Sequence, residues 1–227
     1  MQTKFLVVSV VLNVIFLILI IGGLFTLPGY ALSLARIMAE RSRTQFDFLT
    51  DKKDGIVFLG DSITQGGNWS EIFNNGSILN RGIGGDTTQD ILDRINQIYL
   101  IKPVKIFLMV GVNDLNQKTP LQTMFINYKK LFDGFDESLP RTKIYVQSIL
   151  PIYKKWILLK ANNSDIKLAN NFLREECKKR GYTFIDLNTA FLDGDGMLQR
   201  DLSNDGIHLL GAGYKLWRDE IKAQVIE

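Results

Sequence analysis

Apolar positions divide this 227-residue chain into stretches with different periods. Phe5 to Leu27 is apolar almost throughout, with Asn13 and Thr26 mildly polar and Ser9 small. As a helix rising about 1.5 Å per residue, the run is about 34 Å long and matches a hydrocarbon core of about 30 Å. No face of it is polar, which argues against a helix packed on a soluble core. Residues 1–30 are therefore expected to form a single-pass transmembrane anchor. A signal-peptide core is shorter, about 7–15 residues, although Ser33-Leu34-Ala35 offers a small-residue site for removal. Leu34, Ile37, Met38 and Arg41 then recur at helical spacing, so residues 31–54 are expected to be a helical neck.

From residue 55 to 227 short apolar runs alternate with amphipathic ones. The runs Ile56–Leu59, Ile78–Asn80, Val104–Val110, Lys143–Ile149 and Thr183–Leu187 have strand length and carry Val, Ile and Phe. Between and after them, Thr88–Leu100, Leu121–Leu139, Ser164–Lys179 and Gly213–Val225 follow a helical period, with Ile91, Leu92, Ile95 and Ile98 sharing one face. Such alternation predicts an α/β domain with a parallel sheet between helix layers, and strands this apolar suit burial on both faces.

Composition narrows the partners. Lys+Arg number 27 against 24 Asp+Glu, with no long basic run, so nucleic acid is not an expected partner. The one cysteine, Cys177, falls among apolar helical positions and reads as a buried thiol. It excludes an intrachain disulfide and any Cys-rich metal site. The basic residues near the anchor (Lys4 before it; Arg36, Arg41 and Arg43 after it) would by themselves keep the domain in the cytoplasm. Large domains cross regardless of such a margin, and an N-terminal anchor most often serves export. An extracytoplasmic domain is therefore the expectation.

Candidate chemistry sits where apolar runs stop. After Ile56–Leu59 comes Gly60-Asp61-Ser62, which sets a hydroxyl at the carboxyl edge of the sheet, where ligands bind in open α/β folds. A helix starting there would turn its free N–H groups toward a developing oxyanion beside Ser62, or Ser62 and Thr64 could simply cap it. Asn80-Arg81-Gly82-Ile83-Gly84-Gly85-Asp86-Thr87-Thr88 presents backbone N–H groups, or forms a tight turn capped by Asp86 or Thr87. Its glycine spacing is not that of a dinucleotide fingerprint, and it lacks a P-loop lysine. Asn113, in Gly111-Val112-Asn113-Asp114, can aim an amide at an oxyanion or close an Asx turn. His208 is the only histidine, and Asp205 lies three positions before it across a glycine turn. That offset lets the carboxylate hold one imidazole nitrogen and leaves the other free to take a proton from Ser62.

These four blocks, in this order over roughly Ile56 to Leu216, resemble the SGNH (GDSL-type) hydrolase family, and among its branches the small platelet-activating-factor-acetylhydrolase-like esterases. The resemblance implies a three-layer α/β/α, flavodoxin-like fold with a five-stranded parallel sheet, and esterase or lipase activity with no metal or other cofactor. It makes Ser62 the nucleophile, His208 the base and Asp205 its orienting partner. The backbone N–H groups of Ser62 and Gly85 and the Asn113 amide would form the oxyanion hole. The Gly85 assignment comes from the resemblance alone. Trp69 and Trp156 are candidate substrate-binding residues, and Asp193-Gly194-Asp195-Gly196 reads as a turn because it lacks the downstream Glu of a calcium loop.

The expected function is hydrolysis of short, acetyl-like acyl esters of a lipid or cell-surface glycan by a membrane-tethered serine esterase. An acyltransferase or thioesterase with the same triad is the near alternative. A non-catalytic, membrane-anchored binding domain and a flavodoxin-like nucleotide or flavin binder are the more distant ones. Retention of Ser62, Asn113, Asp205 and His208 together argues against a non-catalytic scaffold.

Overall fold

A computed structural model describes residues 34, 36–51, 53–153 and 159–227. The chain divides into two compact units, Met1–Arg41 and Ser42–Glu227. In the first, residues 36–41 are helical. Among the described residues no helix is long and apolar enough to cross a membrane; the run Phe5–Leu27, where an anchor is expected, lies outside them.

The second unit opens with helical residues 42–48 (α1), within the stretch expected to be neck. Its sheet holds β1 (Ile56–Gly60), β2 (Ile78–Gly82), β3 (Lys105–Met109), β4 (Lys143–Gln147) and β5 (Thr183–Ile185). All neighbours are parallel, in the order β2-β1-β3-β4-β5. This is the expected five-stranded parallel sheet of a three-layer α/β/α domain. β1 and β2 extend to Gly60 and Gly82, beyond their expected runs, and β5 ends at Ile185. β3 and β4 stop short because Val110, Ser148 and Ile149 leave the ladder for the loops of the rim while staying buried.

The connecting helices are α2 (Ser62–Gln65), α3 (Trp69–Ile72), α4 (Thr88–Asp93), α5 (Asn96–Ile101), α6 (Val112–Asn116), α7 (Leu121–Ser138), α8 (Asn163–Arg180), α9 (Leu187–Phe191) and α10 (Gly211–Ile226). The strand order reverses at β1. Right-handed crossovers therefore send the β1–β2 connection over one face and the later connections over the other. Thr88–Leu100, expected as one helix, is two, broken where Arg94 leaves helical geometry at φ −116°. Arg94 turns its guanidinium inward to bond the carbonyls of Gly60 and Arg81 at the ends of β1 and β2.

On the α3 and α10 face, register lines up Phe58, Phe107 and Tyr145 across β1, β3 and β4, their rings stacked 4.9 and 4.6 Å apart. Trp69 completes this ladder. The sequence puts Trp69 among substrate-binding residues, and the structure corrects that. The residue is 1% exposed, lies 4.3 Å from Phe58, meets Trp217 edge-on at 4.7 Å and donates its Nε1–H to the Thr64 carbonyl. A ring that large, with its one polar atom satisfied internally, belongs to the core. Cys177 is likewise buried, and burial pushes its thiol up to about 12, which keeps it unreactive at neutral pH.

Trp69→Ala should destabilise the domain by about 3–5 kcal/mol, the range for deleting a fully buried aromatic ring. Denaturant unfolding measures this, and a loss under about 1 kcal/mol would place the ring at a surface instead.

Candidate active site

Ser62 is held by the end of β1. Asp61 caps α2, its carboxylate accepting the Ile63 N–H at 3.0 Å, so Ser62 is the first helical residue and its own N–H has no intrahelical partner. On the far side of the chain, the loop before α10 is built around Asp205. Its Oδ1 accepts the N–H groups of Ile207 (2.9 Å) and His208 (2.8 Å), while Oδ2 stands 2.6 Å from His208 Nδ1. Gly206, at φ +93°, makes the turn possible, since a Cβ there would lie 2.0 Å from the Tyr153 carbonyl oxygen. Tyr153 fastens the turn from beneath: its N–H donates to Gly206 O and its hydroxyl to Ser203 O.

These loops bring Ser62 Oγ to 2.9 Å from His208 Nε2. The carboxylate places the imidazole proton on Nδ1, so Nε2 accepts from the serine hydroxyl. Burial acts to raise the Asp205 pKa, but the His208 contact and the Ile207 and His208 backbone bonds outweigh it and hold the group below its ordinary value. Asp205 therefore stays ionised at neutral pH and holds the imidazole by Nδ1. All three predicted residues meet at one rim.

The oxyanion candidates come from the next two strands. Gly85, after β2, sits at φ +85°, and no backbone acceptor takes its N–H among the described residues. Its neighbour Gly84 approaches Ser62 closely enough that a Cβ there would be 3.8 Å from Ser62 Cβ, and its N–H is held by Gln65 Oε1 at 3.0 Å. Asn113, after β3, donates one amide hydrogen to the Asp86 carbonyl at 3.0 Å, which fixes the side chain and leaves the second hydrogen for a ligand. Asp114 ties the same loops together, accepting from the N–H and hydroxyl of Thr88 at 2.9 and 2.6 Å. Thr87, rather than Asp86, caps α4, through a reciprocal pair with Asp90.

Asp86 is what sequence reasoning missed. It is 1% exposed, its carbonyl holds Asn113, and its carboxylate is gripped by Arg94 at 2.7 Å and by Arg43 of α1 at 3.0 Å. Burial outweighs both guanidiniums and raises its pKa. The Asp in Gly-Gly-Asp was visible, but partners 8 and 43 positions away give no local signal. Trp156 lies outside the described residues. Asp193 folds on its own turn, accepting the N–H groups of Asp195 and Met197. Among the described residues no cluster of His, Cys, Asp or Glu is arranged to hold a metal ion.

A hydroxyl, an imidazole and a carboxylate in hydrogen-bonded series, at the carboxyl rim of a parallel sheet, form the nucleophile–base–orienter arrangement of serine hydrolases. Residues 58–216 match the model of the GDSL-like lipase/acylhydrolase family, so the chain belongs to that family and is a hydrolase. It is 30% identical over 186 residues to platelet-activating factor acetylhydrolase IB subunit alpha2 of Homo sapiens, covering 79% of each chain. A 28% identical match over 182 residues is to N-acylneuraminate cytidylyltransferase of Streptococcus agalactiae, covering 77% of this chain and 41% of that one. Among solved structures, a GDSL-like lipase from Bacteroides thetaiotaomicron superposes with a TM-score of 0.72 at 23% identity, over 83% of this chain and 97% of that one.

Asp61 supplies a pH-dependent test of the rim. Burial first of all, with Asp86 and Asp114 adding to it, raises its pKa from 3.8 to about 7 against the Ile63 bond and His208. Between these values the folded protein binds more protons than the unfolded chain, so stability falls as pH rises from about 4 to about 7. Asp61→Asn keeps an acceptor for Ile63 without the ionisation. Its melting temperature relative to wild type should climb between pH 4 and pH 8. A difference that stays flat across that range would refute the raised carboxyl.

Proposed function

We propose that the chain is a serine esterase that hydrolyses short-chain, acetyl-like acyl esters of a lipid or a cell-surface glycan. The observation that carries this is the 2.9 Å approach of Ser62 Oγ to an imidazole whose other nitrogen is bound to a carboxylate. Ser62 Oγ attacks the ester carbonyl carbon as its proton passes to His208 Nε2. The resulting oxyanion is held by the N–H groups of Ser62 and Gly85 and by the Asn113 amide. Collapse breaks the carbon–alkoxide bond, with His208 returning the proton to the departing alcohol. Water, deprotonated by His208, then releases the acid and regenerates Ser62. The acetyl-sized acyl group is supported by the name of the human relative, an acetylhydrolase.

Residues 1–30 tether this domain to a membrane on its extracytoplasmic side, and residues 31–54 connect the two. The support is the unbroken apolar run Phe5–Leu27. A substrate in the same membrane, or on the surface next to it, would be kept within reach.

Ser62→Ala should abolish both turnover of p-nitrophenyl acetate and labelling by a fluorophosphonate probe. Retained turnover would overturn the nucleophile. Asn113→Ala should keep the label but lower kcat by about 10²–10³-fold. Comparison of ester, thioester and sugar-acetate substrates, with and without an added alcohol acceptor, separates hydrolysis from acyl transfer: an esterase releases acid at a rate that the acceptor leaves unchanged. The full chain should remain in the membrane fraction through a high-salt wash and be released by detergent. Release by salt alone would overturn the anchor.

A further inference from the structure

We propose that Arg43, in the segment leading into the domain, is a positioning residue for the oxyanion hole and acts through Asp86; this rests on the esterase reading above. Arg43 Nη2 bonds Asp86 Oδ1 at 3.0 Å and Asp90 Oδ1 at 2.7 Å. Asp86 Oδ2 is taken by Arg94 Nε at 2.7 Å, and Arg94 Nη2 in turn reaches the carbonyls at the ends of β1 and β2. The Asp86 carboxylate is thus held on both oxygens, from inside by Arg94 (3% exposed side chain) and from outside by Arg43 (35%).

What Asp86 holds is the hole itself. Gly85, whose N–H is a proposed donor, is the residue immediately before it. The amide of Asn113, another proposed donor, is fixed by the Asp86 carbonyl. Removing Arg43 leaves Oδ1 of a 1%-exposed carboxylate without its cation, a costly arrangement that the loop relieves by moving. Movement at Asp86 passes to both donors at once. Shifts of about 0.5 Å are enough to spoil a preorganised site.

The rest of α1 is secured independently of Asp86. Gln97 Nε2 bonds the Arg43 carbonyl at 3.1 Å and Asp47 Oδ1 at 2.6 Å. Arg81 donates to the Leu49 carbonyl at 2.8 Å and lies 4.6 Å above the Phe46 ring. A contact that merely docked α1 would be redundant with these. The Arg43 side chain differs from them in reaching the loop behind the donors.

The test uses the full chain and p-nitrophenyl acetate, with Ser62→Ala alongside. Arg43→Ala should lower kcat about tenfold with KM within twofold of wild type, since only transition-state contacts are disturbed. Combined with Asn113→Ala, it should cost less than the product of the two single losses, because both act on one donor set. Asp47→Ala, which loosens α1 without touching Asp86, should lower the melting temperature and leave kcat unchanged. If Arg43→Ala fails to fold, Arg43→Gln carries the same comparison.

An unchanged kcat in the Arg43 variant, a rise in KM at constant kcat, additivity with Asn113→Ala, or an equal kcat loss in Asp47→Ala would each overturn the proposal. Turnover that survives in Ser62→Ala would instead overturn the esterase reading, so the two failures are told apart.

Discussion

The buried carboxylate of Asp86 constrains the rim of this sheet. Loops leaving β1, β2 and β3 converge on one point, and each carries polar backbone that water cannot reach. Asp86 settles much of that demand: its carbonyl takes the Asn113 amide and its two carboxylate oxygens take Arg94 and Arg43. Arg94 spreads the same connection to the ends of β1 and β2. A buried ion pair adds little net stability against an apolar replacement, but breaking one side of it is costly. The arrangement therefore contributes to uniqueness of geometry more than to overall stability, and geometry is what an oxyanion hole requires.

The other half of the site follows a different logic. Asp205 and His208 are close in sequence, and their turn is nearly self-contained, with the carboxylate accepting the N–H of Ile207 and of His208 itself. What it lacks is a fixed position relative to Ser62. Tyr153, on the loop after β4, supplies that through Gly206 and Ser203. Ser62 in turn is fixed by Asp61, whose carboxyl is so deeply buried that its ionisation is delayed to about 7. Ser62, the proposed nucleophile, thus rests at a strand end and His208, the proposed base, on a short, pinned loop.

This division explains what could be read from the sequence. The sheet was legible because its central strands β1 and β3 are buried on both faces and so form near-continuous apolar runs. That Ser62, His208 and Asp205 could come together was legible because each stands just beyond an apolar run or next to its partner. The break at Arg94 was not, since Ile91, Ile95 and Ile98 keep a helical period straight through it. Nor was the place of Trp69: an aromatic in a loop after a nucleophile can face a pocket or the core, and only the Phe58 and Trp217 rings decide. Arg43 was hidden most deeply, because its carboxylate partners stand 43 and 47 positions away.

Length of reach along the chain is thus the physical divide. Catalytic groups are recognisable because the chemistry fixes their identity, and the turns they occupy need glycines and caps nearby. Groups that hold them in place are chosen by whatever the fold happens to bring alongside. A buried carboxylate requires a cation, but any element that passes can deliver one. Here one cation comes from the break between α4 and α5 and the other from α1, ahead of the first strand. The compact unit that carries the candidate site accordingly includes residues ahead of β1, and one of the first of them, Arg43, reaches the Asp86 carboxylate.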